Sequence, residues 1–389
     1  MLPQLPFDRP GPLDAPPELE RLCAQGPVHR VRTRVGDDAW LVTGHAEVRA
    51  LLDDDRLGRA HRDPAHAARS GESALFGGPM GDFDTEKADH TRMRSLLRPH
   101  FTPKRMRLLA PRVERLTDDL VDAMERGPRP ADLHESLAVP LPIQVICELL
   151  GVPYADRERF REWSLAAGDV TDRSRSEQGL GALFDYGLTL VAAKREEPAD
   201  DVISHLAAEP GVGDTEAAGL AMALLFAGHE TTVVQIGLGV LHLLADRDQY
   251  RALVDDPDLV PGAVDEVLRA PHKGGDGVPR YAREDFELAG ATIAAGDLVL
   301  CDLGSANHDP DAFPDPGRLD VGRNAGAHLG FGHGMRYCLG APLARVELGA
   351  VLDRLTRRLP ELRLAVPVGE LSTRRDVLTG GLTALPVTW

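Results

Sequence analysis

The chain has 389 residues, 43% apolar and 27% charged, with a formal net charge of −17. That is an ordinary globular composition, long enough to enclose a large cofactor, and its acidity argues against nucleic acid as a general partner. Cys23, Cys147, Cys301 and Cys338 lie far apart with no CxxC pair, which argues against a disulfide framework or a structural zinc site and fits a reducing cytoplasm.

Residues 1–17 are Pro-rich, with neither a basic stretch nor an apolar one, so no signal peptide or membrane anchor is expected. β-formers over 27–33 and 39–43, around Gly36-Asp37-Asp38, predict a hairpin, and a short helix follows over 45–52. Residues 60–88 are rich in Gly, Pro and His and predict a long loop of the functional kind. From His90 to about Leu150 the pattern is helical, with breaks expected at Pro103, Pro111 and Pro140.

The longest apolar run, 217–245, holds His229-Glu230-Thr231-Thr232 at its middle and several glycines. Charge there is costly in lipid, so the run predicts a buried central helix rather than a membrane span, with Asp214 or Thr215 as its cap. A further helix starts at Pro261 and stops at Pro271. Short strands follow at 286–288, 292–293 and 298–301, then a loop-rich stretch over 305–334. A last helix spans 342–359, with Leu348, Leu352, Leu355 and Leu359 on one stripe. The tail predicts strands with a turn at Gly380-Gly381. The expectation is a single domain over 1–389, mainly α (α+β), with helices around a long central helix and small β-sheets.

Chemistry concentrates in Phe331-Gly332-His333-Gly334-Met335-Arg336-Tyr337-Cys338-Leu339-Gly340. A haem iron needs a strong axial donor, and thiolate favours O–O cleavage. Gly332 and Gly334 permit a tight turn close to a flat ring, and Gly340 leaves space after the cysteine. The helix just beyond offers free amides and its dipole to a thiolate at Cys338. Arg336 has the reach for a haem propionate. An isolated cysteine is more often buried and inert, and that is how Cys23, Cys147 and Cys301 read.

In Ala227-Gly228-His229-Glu230-Thr231-Thr232, an acid beside hydroxyls suits proton delivery, although a self-satisfied polar patch between helices reads equally well. A Thr hydroxyl bonding one turn back, next to Gly228, loosens a helix locally. Glu266 and Arg269 share a helix face at i, i+3, a spacing usually seen in solvated pairs. His90 and Arg94 lie one turn apart; they are either a charged helix face or partners for paired carboxylates.

Together these segments resemble the cytochrome P450 family, whose haem loop runs Phe-Gly-x-Gly-x-(His or Arg)-x-Cys-x-Gly. The resemblance extends from Trp40-Leu41-Val42-Thr43 to Leu385-Pro386-Val387. It implies the P450 fold, a haem b cofactor and Cys338 as the ligand of its iron. It implies that Phe331, Gly340, Ala227 and Gly228 border the haem, and that His90, Arg94, Arg280 and Arg336 meet its propionates. Thr231 would hydrogen-bond the dioxygen, Glu230 would relay protons, and His229 stays unassigned. Glu266, Arg269 and Arg323 would form a buried structural cluster.

The closest resemblance is to soluble actinobacterial enzymes that tailor polyketide and other natural products. It implies a cytoplasmic monooxygenase, away from membrane and nucleic acid, that hydroxylates or epoxidises a small molecule with O₂. Electrons would come from ferredoxin and ferredoxin reductase, docking on Arg92, Arg98, Arg105 and Arg107. Lys273, Gly275, Asp276, Val278 and Leu378 are the candidate substrate residues. After Arg269, relatives often carry apolar residues, whereas 271–277 here are charged and glycine-rich. Lys273 either turns to solvent or, with His272 and Asp276, meets a polar group of the substrate. Two alternatives are a peroxide-driven relative, against which the Glu230–Thr231 pair argues, and a haem sensor, which needs no proton relay.

Overall fold

The computed structural model describes residues 2–271 and 277–389. Among these, ten strands form: β1 (Val28–Arg32), β2 (Asp38–Val42), β3 (Leu57–Gly58), β4 (Ala131–Asp132), β5 (Val278–Ala282), β6 (Phe286–Leu288), β7 (Ala291–Ile293), β8 (Leu298–Cys301), β9 (Arg363–Leu364) and β10 (Pro386–Thr388). The predicted hairpin is β1–β2, in antiparallel register from Val28–Val42 to Arg32–Asp38. It turns at Gly36, whose φ of 92° suits glycine. β2 runs parallel to β8, and the sheet order is β1-β2-β8-β5-β3.

The tail carries the expected strands and turn. Gly380 and Gly381 turn at φ 63° and 98°, beside the bridge Thr373–Leu382, and Val377 bridges to Asp169. β10 pairs with β9 and with β4. Leu382, Leu385 and Val387 join the main apolar core.

The helices are α1 (Pro17–Cys23), α2 (His45–Leu52), α3 (Glu86–Leu97), α4 (Pro103–Arg126), α5 (Pro140–Leu150), α6 (Arg157–Ala167), α7 (Arg173–Glu196), α8 (Val202–Ala208), α9 (Asp214–Ala245), α10 (Arg247–Asp255), α11 (Val260–Arg269), α12 (Leu303–Ala306) and α13 (Ala341–Arg358). Pro103 and Pro140 open α4 and α5, where a missing N–H costs nothing. Pro111 does not break α4, contrary to expectation. It is exposed, so the carbonyl one turn back that loses its partner can turn to water.

The central helix α9 has 32 residues and spans about 48 Å. Neither Asp214 nor Thr215 caps it; the cap position is Gly213, without a side-chain bond. Asp214 is engaged elsewhere, accepting from Arg195 Nε at 2.7 Å, and with Glu216 it complements the positive helix start. Among the described residues α9 is the one helix long and apolar enough to cross a membrane, and 61% of that window is buried in the protein. α9 packs on α5, α7, α11 and α13, which makes it the axis of the core. The fold is mainly helical with small sheets, as expected.

Candidate active site

Cys338 sits at the end of a loop that its own backbone closes: its N–H donates to Phe331 O at 2.9 Å. The loop turns through Gly332 and Gly334 at φ 72° and 66°. A Cβ on Gly334 would lie 2.2 Å from an Asp53 oxygen, so glycine is required there twice over. The amides of Gly340 and Ala341, where α13 begins, donate to the Cys338 sulfur. Burial pushes the thiol pKa up, while these amides and nearby Arg94 and Arg345 pull it down. Cys338 is nevertheless exposed. A thiol hemmed in by protein yet reachable is one that faces an opening. Phe331 beside it is half-buried, with Arg345 over its ring at 4.7 Å.

A second open face lies on α9. Between Ala217 and Leu244, the exposed residues are Ala223, Ala227 and Thr231. Their i, i+4, i+8 spacing is a single stripe down a helix otherwise packed into the core. Thr231 Oγ1 donates to Ala227 O at 2.9 Å. Gly228 serves packing rather than loosening: α9 continues unbroken, and a Cβ there would lie 2.5 Å from Ile146 Cδ1 of α5.

Glu230 is about 100° round the helix from Thr231 and buried. Its carboxylate meets Arg374 Nη2 at 3.4 Å and lies 3.6 Å from His229 Nε2. His229 donates Nδ1–H to Leu225 O at 2.7 Å and stands edge-on to Phe160. Burial pulls its pKa down, so it is neutral. Arg374, in the tail, is a contact that no motif announces.

At the edge stand His90, Arg94, Arg280 and Arg336. His90 Nδ1 is buried without a partner, and its pKa is lowered to about 4 by burial, then by Arg336 and Arg94. Arg94 Nη1 donates to Tyr337 O at 2.7 Å, which places it against the cysteine loop. Buried Arg280 bonds Pro279 O. Three further residues were not foreseen: Arg59, Arg283 and Glu86. Arg59 leaves a buried Nε unpartnered, and its pKa falls to about 10 through burial and its neighbours Arg280 and Arg336. Arg283 and Arg336 both pair with Glu86.

Four guanidinium groups around one carboxylate, with orphaned donors, call for anions. The two carboxylates of a haem edge satisfy that demand. The thiol offers a ligand and the open α9 stripe offers a flat face. The residues therefore fit a haem.

Behind the site, the structural cluster is as expected. Glu266 takes Arg269 Nε and Nη2 at 2.8 Å each, and Arg323 Nε at 3.3 Å. Arg269 also donates to Asn307 O and Pro316 O, and both members of the helix pair are wholly buried. The usual solvated reading of this spacing therefore does not apply here.

Val278 is half-buried at the start of β5, while Leu378 is exposed and donates its N–H to Gly168 O at 2.8 Å. Lys273, Gly275 and Asp276, with His272, lie outside the described residues. The basic cluster is smaller than expected. Arg92 pairs with Glu216, and Arg105 meets His100 and Asp200, because acidic side chains of neighbouring elements reach them. Arg98 and Arg107 remain exposed.

Residues 193–361 match the family model described as Cytochrome P450. The chain is 44% identical to pentalenolactone synthase of Streptomyces exfoliatus, over 100% of this chain and 99% of that protein. It is 42% identical to mycinamicin IV hydroxylase/epoxidase of Micromonospora griseorubida, over 93% and 92%. Among solved structures, it superposes on the polyene macrolide antibiotic pimaricin epoxidase PimD with a TM-score of 0.89 at 41% identity, covering 100% and 99%.

Proposed function

This chain belongs to the cytochrome P450 family and is a haem-dependent monooxygenase; from that premise we propose that it hydroxylates or epoxidises a polyketide- or macrolide-type natural product in the cytoplasm, drawing electrons from a ferredoxin and its reductase. The observation that carries this reading is the Cys338 thiol, held by two amides at the start of α13 and open on its other side. Relatives named for mycinamicin hydroxylation and epoxidation and for pimaricin epoxidation support the substrate class. We take residues 1–389 as one functional domain, since these relatives align along nearly their whole length.

Cys338 would hold a haem b, which when bound would supply the activation of O₂ and the transfer of one oxygen atom. The protein supplies the rest. The amides of Gly340 and Ala341 stabilise negative charge on the sulfur and moderate its electron donation. Arg280, Arg336, His90 and Arg94 hold the haem carboxylates or brace the loop beside them. Thr231 keeps a hydroxyl on the open stripe, and Glu230 stands one residue away as a proton source, released from Arg374 when it acts. Val278 and Leu378 meet the substrate. Exposed Arg98 and Arg107 offer positive charge to an acidic ferredoxin despite the acidic chain.

The test has two stages. The dithionite-reduced protein under CO should show the red-shifted Soret band of thiolate-ligated haem; a stable histidine-type spectrum in fresh, active protein would overturn the assignment. NADH with a ferredoxin and its reductase should then oxidise a member of a macrolide panel, whereas turnover with peroxide alone would favour the peroxide-driven reading.

A further inference from the structure

Glu86 opens α3 and is 8% exposed. Its Oε1 accepts from Arg59 N at 2.6 Å and from Arg336 Nη2. Its Oε2 accepts from Ala60 N at 3.1 Å and Arg283 Nη1 at 3.2 Å. A Cβ on Gly58 would lie 2.5 Å from Oε2, so that glycine leaves the carboxylate its place. One side chain thus joins α3, the chain after β3, the end of β5 and the cysteine loop.

Fastening a helix start needs only backbone donors; the two guanidinium groups go beyond that. Arg336 has five N–H donors and gives one to Glu86. Arg59 gives Nη2 to Leu75 O and the Met80 sulfur, each at 3.0 Å, and keeps a buried Nε unused. Among the described residues, Arg280 bonds its neighbour's carbonyl alone. A cavity of about 290 Å³ is lined by Glu86, Arg280, Arg283 and Arg336, and also by Asp53, Asp54, Asp55, Asp84 and Lys87. Of these five acids, Glu86 is the one whose carboxylate pairs with Arg336 and Arg283 among the described residues.

We propose that Glu86 is a positioning residue for the haem edge, holding Arg336 by one donor so that its others, with those of Arg59 and Arg280, face the haem carboxylates, and holding the haem's reduction potential down with its charge. This rests on the haem reading above. Reduction adds negative charge to the haem, so a nearby carboxylate opposes it and its removal favours it.

The holoenzyme tests this. Glu86→Gln keeps the shape and drops the charge; its potential, read by spectroelectrochemical titration, should move positive while the thiolate spectrum persists. Glu86→Asp keeps the charge and should lie nearer the wild-type potential than Glu86→Gln. Glu86→Ala should release haem to an apomyoglobin trap about tenfold faster, the cost of a lost charge-assisted bond. A wild-type potential in Glu86→Gln overturns the charge role, and the reverse order of Asp and Gln does the same. Wild-type haem release in Glu86→Ala overturns the positioning role. If Glu86→Ala does not accumulate, haem release from Glu86→Gln replaces it, and an unchanged rate there overturns positioning. A wild-type protein without a haem spectrum sinks the haem reading itself, and this proposal with it, before any variant is made.

Discussion

The hydroxyl of Thr231 donates to the carbonyl of Ala227 at 2.9 Å, and both residues lie on the one exposed stripe of α9. The hydroxyl is therefore held at the opening, with its oxygen free to accept. Thr231→Ala removes it from an exposed position, so haem content and substrate binding should stay near wild type. Product formed per NADH should fall and peroxide release rise. A loss of order 10²-fold in product rate, about 2.7 kcal/mol, is the size expected for a proton-transfer group. Unchanged coupling would remove Thr231 from proton delivery.

Cys338→Ala should abolish the red-shifted CO band, whereas alanine at Cys23, Cys147 or Cys301 should leave it intact. Burial raises the pKa of Cys147 to about 12 and that of Cys301 to about 11, so both remain thiols. Cys338 alone is braced by a helix start. Reduced CO spectra of the four variants decide the matter.

Glu266→Ala should cost about 3–5 kcal/mol, because it strands the buried charge of Arg269. Arg269→Lys should also destabilise, since an ammonium cannot hold Glu266 in a fork while bonding Asn307 O and Pro316 O. Urea midpoints should fall in both, and haem retention with them, because Arg269 anchors the chain leading to the cysteine loop. A midpoint within error of wild type would show the cluster to be dispensable.

Stability should fall as the pH drops from about 6.5 toward 4. The pKa values of His100, His242 and His308 are each lowered to about 4, by burial first. Above the ordinary histidine pKa of about 6.5 neither state binds protons at these rings, and stability is flat. Between about 6.5 and 4 the unfolded chain takes up protons that the native one refuses, so stability falls as pH falls. Denaturation midpoints at pH 7.5, 6 and 5 should trace this, and His242→Phe should make the slope shallower. A pH-independent midpoint over that window would contradict it.

Reduction by an acidic ferredoxin should slow with added salt, and Arg98→Glu should raise the partner's apparent KM. Arg92→Glu should act less through docking, since Arg92 already spends its charge on Glu216. Salt-insensitive reduction kinetics would remove electrostatic steering.

Local order was legible from local spacing. The helix and strand periods located α2, α9, β6, β8 and α13 within a few residues, because a buried stripe repeats along its own chain. The cysteine loop closes between Cys338 and Phe331, so its chemistry is written in one continuous segment. The Glu266–Arg269 pair is an i, i+3 contact of the same kind. Its spacing alone left open whether the pair is solvated or buried; the family resemblance implied burial, and the segment around residues 307–323, folded over it, is what buries it.

What only the tertiary structure decided are contacts between distant stretches, whose partners no spacing encodes. Glu86 gathers donors from residues 59, 60, 283 and 336. Arg374 reaches Glu230 across 144 residues of chain, and Gly228 is glycine because Ile146 of α5 fills the place of its side chain. Asp214 fails as a cap and Arg92 as a free cation because each finds a partner on another element. The sequence by itself determined the central helix, the family and the loop that carries Cys338, since these rest on short-range geometry. Packing determined which charges stay free, since a charge pairs with whatever the fold brings within about 4 Å of it.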